Sequence, residues 1–276
     1  GGGATGFTTA ANTYASNPNR FGAGTAVYDG YLYVAGGCIG TATCPTALNS
    51  VTYAKINDSG VIGTWSNATA NLPAARGYGK LLVAGSSLYF VGGQNDSGTA
   101  QSTVYYATPS AGNISSWSTA SSGLPNARSE FGAASWNNRL YIVGGKGTSA
   151  DCSGAVCNTI YTSPDLSLGG NITASWSTTG DDFSVARSGT VAVANSNTLY
   201  IAGGYDGANY LSDTQYAKID TTTGDVGSWS KSTSLPRPLS QGDGFSANGY
   251  LYLMGGKSST TSCDPTTLVA PISGET

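Results

Sequence analysis

Histidine is absent from the chain. Its absence removes Ser-His-Asp and Cys-His nucleophile arrangements, histidine-ligated zinc or copper, and the commonest general base, leaving carboxylates, Tyr, Lys and Cys for any chemistry. Charge is scarce as well: Asp, Glu, Lys and Arg make up 10% of the residues, against about a quarter in ordinary soluble domains. Twelve Lys and Arg against 15 Asp and Glu, net −3, leave no basic excess for a phosphate backbone, so nucleic acid is not an expected partner. No apolar run approaches the ~18 residues of a membrane span. No window places apolar residues at i, i+3, i+4 and i+7, and helix is not expected. The chain opens GGGATGF, with neither a Met nor a charged-then-apolar leader, and reads as a mature or excised segment.

What the chain does have is glycine, 40 residues of it, with Ser, Thr and Asn filling much of the remainder. Runs such as LYFVGG and LYIVGG are short, aromatic or β-branched, and end in glycine, the pattern of strands separated by tight turns. Five cysteines are present, Cys38, Cys44, Cys152, Cys157 and Cys263. The segments CIGTATC and CSGAVC are short and polar, so Cys38 with Cys44 and Cys152 with Cys157 are read as local disulfides, which persist outside the cytosol. The competing reading is a pair of metal sites, but zinc wants four ligands and neither a histidine nor a third nearby cysteine is on offer. Cys263 is left as a free thiol, a link to another chain, or a partner for Cys38 or Cys44 if the local pairing is wrong. Asp96, Asp206 and Asp213 fall in polar loops without a spaced set of oxygen ligands, so no metal and no cofactor is expected. Asn-x-Ser/Thr sequons at Asn57, Asn67, Asn95, Asn113 and Asn171 are what a chain this rich in Asn, Ser and Thr produces by chance.

The chain also repeats itself. Gly-Gly pairs begin at Gly36, Gly92, Gly144, Gly203 and Gly255, in steps of 56, 52, 59 and 52 residues. Three residues before each pair a tyrosine follows a leucine: Tyr33, Tyr89, Tyr141, Tyr200 and Tyr252. After each pair come a polar loop and a short strand signal, VTYAKI, VYYATP, TIYTSP, TQYAKI or TLVAPI. Four repeats then carry a tryptophan, Trp65, Trp117, Trp176 and Trp229, and a return segment such as LPAAR.

This pattern resembles the kelch repeat over essentially the whole chain. The resemblance implies an all-β fold: a five-bladed kelch-type β-propeller, one domain over residues 1–276, with blades starting near residues 20, 76, 128, 187 and 239. The fifth repeat stops at TLVAPISGET where its neighbours go on to a Trp strand. The N-terminal ATGFTTAANTYASNPNR reads like the missing IGTWSNATANLPAAR, with Phe7 in place of Trp. An N-terminal strand within about residues 4–19 is therefore expected to complete the last blade and seal the ring without an exposed sheet edge.

Arginine recurs too. Arg20, Arg76, Arg128 and Arg187 each stand 16 residues before their Gly-Gly pair, while the fifth repeat has Leu239 there and Arg237 displaced by two. In a kelch propeller this position opens the first strand of a blade, beside the central channel. Two readings stay open: each arginine braces a blade by bonding carbonyls or stacking on an aromatic ring, or together they form a cationic ring for a carboxylate, phosphate or acidic peptide. Arginines at this position line the pocket in kelch domains that bind acidic peptides.

Positions that differ between repeats say more about a ligand. Two residues after the arginine position come Gly22, Tyr78, Glu130, Gly189 and Gln241, and two further on Gly24, Lys80, Gly132, Val191 and Asp243, all on the same side of their strands. Tyr78 and Gln241 join the four arginines as candidate ligand contacts. Glu130, one of two glutamates in the chain, is read as an internal ion-pair partner or as a general acid or base with Tyr78 or Asp243. The cysteine loops follow Gly-Gly pairs and rise on the same face, where a disulfide would stiffen the pocket wall.

The reading that follows is an extracellular or cell-surface kelch propeller acting as a binding, adhesion or surface-assembly module. Its expected partner is a protein or glycan, anionic if the arginines face it, or further copies of the chain. The alternative is a carbohydrate-active enzyme, such as a sialic acid mutarotase-like isomerase using Glu130. Copper-radical oxidases, also secreted kelch proteins, need histidines that the chain lacks.

Overall fold

The computed structural model describes residues 20–40, 44–148, 152–153, 156–178, 180 and 182–272. All regular structure among them is β, and no helix occurs. Five antiparallel sheets stand in a ring about a central channel, each made of consecutive strands. Blade 1 comprises Gly24–Tyr28, Tyr31–Ala35, Val51–Ile56 and Ile62–Asn67. Blade 2 comprises Lys80–Ala84, Ser87–Val91, Val104–Ala107 and Ser118–Thr119. Blade 3 has Gly132–Trp136, Arg139–Val143 and Ile160–Thr162, with Ser177 bridging Thr162 on the outside. Blade 4 has Val191–Asn195, Thr198–Tyr205, Tyr210–Lys218 and Ser230–Ser232. Blade 5 has Asp243–Ala247, Tyr250–Met254 and Thr267–Pro271. The fold is thus the five-bladed propeller that the repeat implies. The closing strand expected within residues 4–19 lies outside the described residues.

Local chemistry sets the hairpins. In blades 1, 3 and 5 the two inner strands are joined by two-residue turns with positive φ at both positions, Asp29-Gly30 (49° and 74°), Asn137-Asn138 (47° and 57°) and Asn248-Gly249 (51° and 77°), while in blades 2 and 4 the first turn residue alone, Gly85 (54°) or Ser196 (48°), has it. Asn, Asp and Gly enter that region at least cost, and its twist matches that of the strands.

The Gly-Gly pairs fasten one blade to the next. The first glycine of the pair has a φ of 63° at Gly36, 55° at Gly92 and 61° at Gly144. A Cβ there would lie 2.5, 2.7 and 2.6 Å from the carbonyl oxygens of Arg76, Arg128 and Arg187, the residues opening the following blades. At Gly203 the Leu239 carbonyl is closer still. The second glycine donates its N–H to the same carbonyl: Gly37 to Arg76 at 2.7 Å, Gly93 to Arg128 at 2.9 Å, Gly145 to Arg187 at 2.9 Å and Gly204 to Leu239 at 2.7 Å. Only glycine combines that backbone with so close an approach.

The core is correspondingly a series of slabs between blades. Tyr33, Ala35 and Val51 of blade 1 pack on Leu81, Leu88 and Phe90 of blade 2, and Tyr89 and Val91 of blade 2 on Phe131 and Leu140 of blade 3. Tyr141 and Val143 then meet Leu199 and Ile201 of blade 4, and Val191 and Ala202 meet Leu253 of blade 5. The joint between blade 5 and blade 1 differs. Phe245, Tyr250, Met254 and Val269 are 41–54% exposed there, and a Cβ on Gly255 would meet only the Asp264 carbonyl of its own blade, at 3.7 Å.

Gly144→Ala is expected to lower stability by about 2–4 kcal/mol, the sum of a left-handed alanine and the overlap with the Arg187 carbonyl. Gly249→Ala, at a φ of 77° but with nothing within 4 Å of the added Cβ, should cost only about 1 kcal/mol. Equal urea midpoints for the two variants would show that the close approach contributes nothing.

Candidate functional site

The recurring arginines are occupied inside the blades. Arg76 Nη2 donates to Thr103 Oγ1 and to the Tyr105 hydroxyl, both at 3.0 Å, with its guanidinium 5.5 Å from the centre of the Tyr105 ring. Arg128 repeats the pattern on Thr159 (3.1 Å) and the Tyr161 hydroxyl (2.6 Å). Arg20 Nη2 donates to Ser50 Oγ at 2.6 Å. Arg187, fully buried, makes a two-pronged ion pair with Asp213 at 2.8 and 2.9 Å. In blade 5 the displaced Arg237 reaches the equivalent place and grips Asp264 and Thr266. Each guanidinium ties the start of its blade to that blade's third strand, and none of the four matching arginines lines the cavity at the channel mouth. Their contacts are those of the bracing reading.

The next alternate residue builds the mouth. Gly22, Tyr78, Glu130, Gly189 and Gln241 all have positive φ, at 59°, 55°, 51°, 61° and 58°. This backbone suits glycine, and each of the three larger residues held in it costs ~1–3 kcal/mol. Backbone hydrogen bonds link the five around the channel: Tyr78 N–H to Gly22 C=O at 2.7 Å, Glu130 to Tyr78 at 3.1 Å, Gly189 to Glu130 at 2.6 Å and Gln241 to Gly189 at 2.7 Å. The two glycines also make room. The Cβ position of Gly22 is 3.0 Å from Tyr78 Cδ1, and that of Gly189 is 3.0 Å from Gln241 Cγ, so each larger side chain leans over the glycine of the blade before.

Above this ring lies a cavity of about 530 Å³. Phe21, Tyr78 and Met254 give it an apolar wall, and Lys80, Glu130, Gln241, Asp243 and Lys257 a polar one. Glu130 is held on both sides: Oε1 accepts from Lys146 Nζ at 2.8 Å and Oε2 from Gln241 Nε2 at 3.1 Å, with the side chain 10% exposed. Burial, with help from the Glu130 charge, pushes the Tyr78 hydroxyl up to about 12. It stays a proton-bearing donor at any physiological pH. Tyr78, Glu130 and Gln241 are therefore brought together, whereas the arginines support the wall behind them. Among the described residues the ammonium groups of Lys80 and Lys257 have no hydrogen-bond or ion-pair partner.

Both local disulfides form, Cys38–Cys44 and Cys152–Cys157, and Cys263 is free and exposed. Cys38 and Cys44 are buried against Phe21, Ala75 and Tyr78, and an added Cβ on Gly77 would strike both sulfurs. The first disulfide thus backs the aromatic wall of the mouth.

A ring of small sheets whose unlike side chains collect at one end of its channel defines a β-propeller with a cavity at its mouth. The family model for the KLHDC2/KLHL20/DRC7 Kelch-repeats domain matches residues 22–256, from the mouth residue Gly22 to the second glycine of the last pair, and the chain belongs to that kelch-repeat family. No individual curated protein matches it. A kelch propeller is in general a protein-binding module, and among the described residues no helix is long and apolar enough to cross a membrane.

The Arg187–Asp213 pair carries a pH dependence. Burial pulls the Asp213 carboxyl up, but the bonds from Arg187 and from Gln215 outweigh it and hold the group below the ordinary carboxylate range. A folded value below the unfolded one gives stability that is present above the unfolded titration, near ~4, and is lost as pH falls through the folded value. Asp213→Asn is expected to cost about 2–3 kcal/mol at neutral pH, less than the ~3–5 of a fully buried pair because Asp213 is 33% exposed. In urea titrations the gap between wild type and variant should narrow as pH falls below ~4; a constant gap would refute the assignment.

Proposed function

We propose that the chain is an extracellular binding module that takes an acidic segment of a protein partner at the channel mouth. The observation that carries this reading is the pair of ammonium groups, Lys80 and Lys257, lining the cavity without a counter-charge of their own. Lys80, Lys146 and Lys257 outnumber Glu130 and Asp243 at the mouth, although the chain as a whole is net negative at −3. Glu130 is already neutralised by Lys146, so the charge left for a partner is positive. Phe21 and Tyr78, edge to face at 6.0 Å, offer an apolar surface, and the Gln241 amide, which gives one N–H to Glu130, has a second to offer. The cavity falls within the ~300–1,000 Å³ of ordinary ligand sites. Two disulfides among the cysteines support a place outside the cytosol. With both oxygens of Glu130 engaged, binding needs nothing to be rearranged, whereas an acid–base role would require Glu130 to give up Lys146 or Gln241.

Immobilised polyglutamate, with heparin as a sulfated-glycan comparison, tests the charge. Wild type is expected to be retained on polyglutamate at low salt and released as salt rises. Replacing both Lys80 and Lys257 with Gln should weaken retention roughly tenfold or more, with Lys55→Gln, at an exposed site in blade 1 outside the cavity, as a control that leaves it unchanged. Retention on heparin alone would move the assignment to a glycan, and equal retention of wild type and double variant would overturn it.

A further inference from the structure

The chain of backbone bonds at the mouth has two ends. It runs from Gln241 through Gly189, Glu130 and Tyr78 to Gly22, with every N–H donating to the carbonyl of the blade before. Five residues in one conformation make four such bonds. Among the described residues this leaves the Gly22 N–H as a donor and the Gln241 C=O as an acceptor without a protein partner. Both residues line the mouth cavity. They flank the joint between blade 5 and blade 1, where the apolar side chains of blade 5 are also left exposed. Both ends are stronger than isolated amides, because a row of aligned hydrogen bonds polarises its members and concentrates the effect at its terminal donor and acceptor.

A carboxylate can accept from Gly22 but has nothing to donate to Gln241. A trans peptide unit has both groups, and they point in opposite directions, the sense needed to enter a head-to-tail row. We propose that the mouth binds an extended peptide whose main-chain amide supplies the missing link, its C=O accepting from Gly22 N–H and its N–H donating to Gln241 C=O. The acidic side chains of the same peptide then reach Lys80 and Lys257, so the proposal rests on the mouth reading above and adds the part of the ligand that the backbone recognises. Recognition through the main chain accepts many sequences, and the lysines and the Tyr78 wall supply the selection among them, as in other modes where backbone bonds give affinity and side chains specificity.

The test uses the full chain labelled with nitrogen-15 and three probes: short acetylated peptides with two glutamates among otherwise mixed residues, the same peptides N-methylated at every amide, and glutarate. The plain peptides are expected to move the Gly22 amide resonance downfield, to slow its hydrogen exchange, and to bind roughly tenfold or more tightly than the N-methylated set, which keeps the charges but has lost the donors. Glutarate, which brings the charges but no donor for the Gln241 C=O, should move the Lys80 and Lys257 side-chain signals and bind no more tightly than the N-methylated set. Equal binding of the N-methylated peptides, or a Gly22 amide already protected in the free protein because the ring closes on itself, overturns the proposal and leaves the mouth reading standing. If neither the peptides nor glutarate disturb the two lysines, the mouth reading fails and the proposal with it.

Discussion

Blades 2 to 5 each begin with a carbonyl that the blade before holds between two glycines, and the rest of the molecule is arranged around that contact. The carbonyl belongs to the residue at the arginine position, Arg76, Arg128, Arg187 or Leu239. Once it is fixed, the side chain of an arginine there can turn only into its own blade, where Thr103, Thr159 or Asp213 receives it. Two residues on, the backbone turns left-handed at the mouth, and two further on it enters the innermost strand. Three features that look separate in the sequence, the Gly-Gly pair, the arginine 16 residues upstream and the variable residue between, are consequences of one close approach.

That contact also dictates where apolar residues go. A blade of three or four strands is too thin to bury a core of its own, so burial happens in the slabs between neighbours, and each slab is only as good as the clasp that sets its spacing. The tyrosine before each Gly-Gly grades around the ring. Tyr33, Tyr89 and Tyr141 are fully buried, Tyr200 of blade 4, although its neighbour is clasped, is half-buried, and in blade 5 Tyr252 is half-buried and stacks on the exposed Phe245 at 4.9 Å. The mouth hydrogen bonds stop at the same joint, so packing and polar pairing change together there.

Most of this scaffold was legible in the residue order. Gly-Gly spacing and the Leu-Tyr run fix blade number and strand phase, and the innermost strands begin four residues after residues 20, 76, 128, 187 and 239. The two short cysteine loops closed as read. The arginines were harder, because a brace and a ligand contact require the same residue at the same position; what separates them is the direction of the side chain, and the sequence signal for it lies far downstream, in Ser50, Thr103, Thr159 and Asp213. Lys257 was missed for a similar reason: it follows a Gly-Gly pair in the slot that Lys146 fills in blade 3, and only the fold brings that slot to the mouth. The left-handed backbone had a sign as well, glycine at two of five equivalent positions, Gly22 and Gly189. One residue type recurring among unlike neighbours points to a conformation they all share.

The mouth ring separates what the scaffold needs from what it carries. Gly22 and Gly189 show that the ring can be built from glycine, and glycine enters that conformation without strain. Tyr78, Glu130 and Gln241 occupy equivalent places at a conformational cost that their backbone bonds do not require, since the glycines make the same kind of bond. Glu130 and Gln241 take no part in the interblade slabs, and Tyr78 joins only the small cluster at the Cys38–Cys44 disulfide; Tyr78 and Gln241 bend over the two glycines, with Gln241 reaching across Gly189 to Glu130. In the proposed function, strain retained where the fold has a cheaper solution, on side chains gathered at a single opening, serves recognition rather than folding. The unstrained glycines are part of the same arrangement, because a side chain at either would occupy the space into which Tyr78 and Gln241 lean.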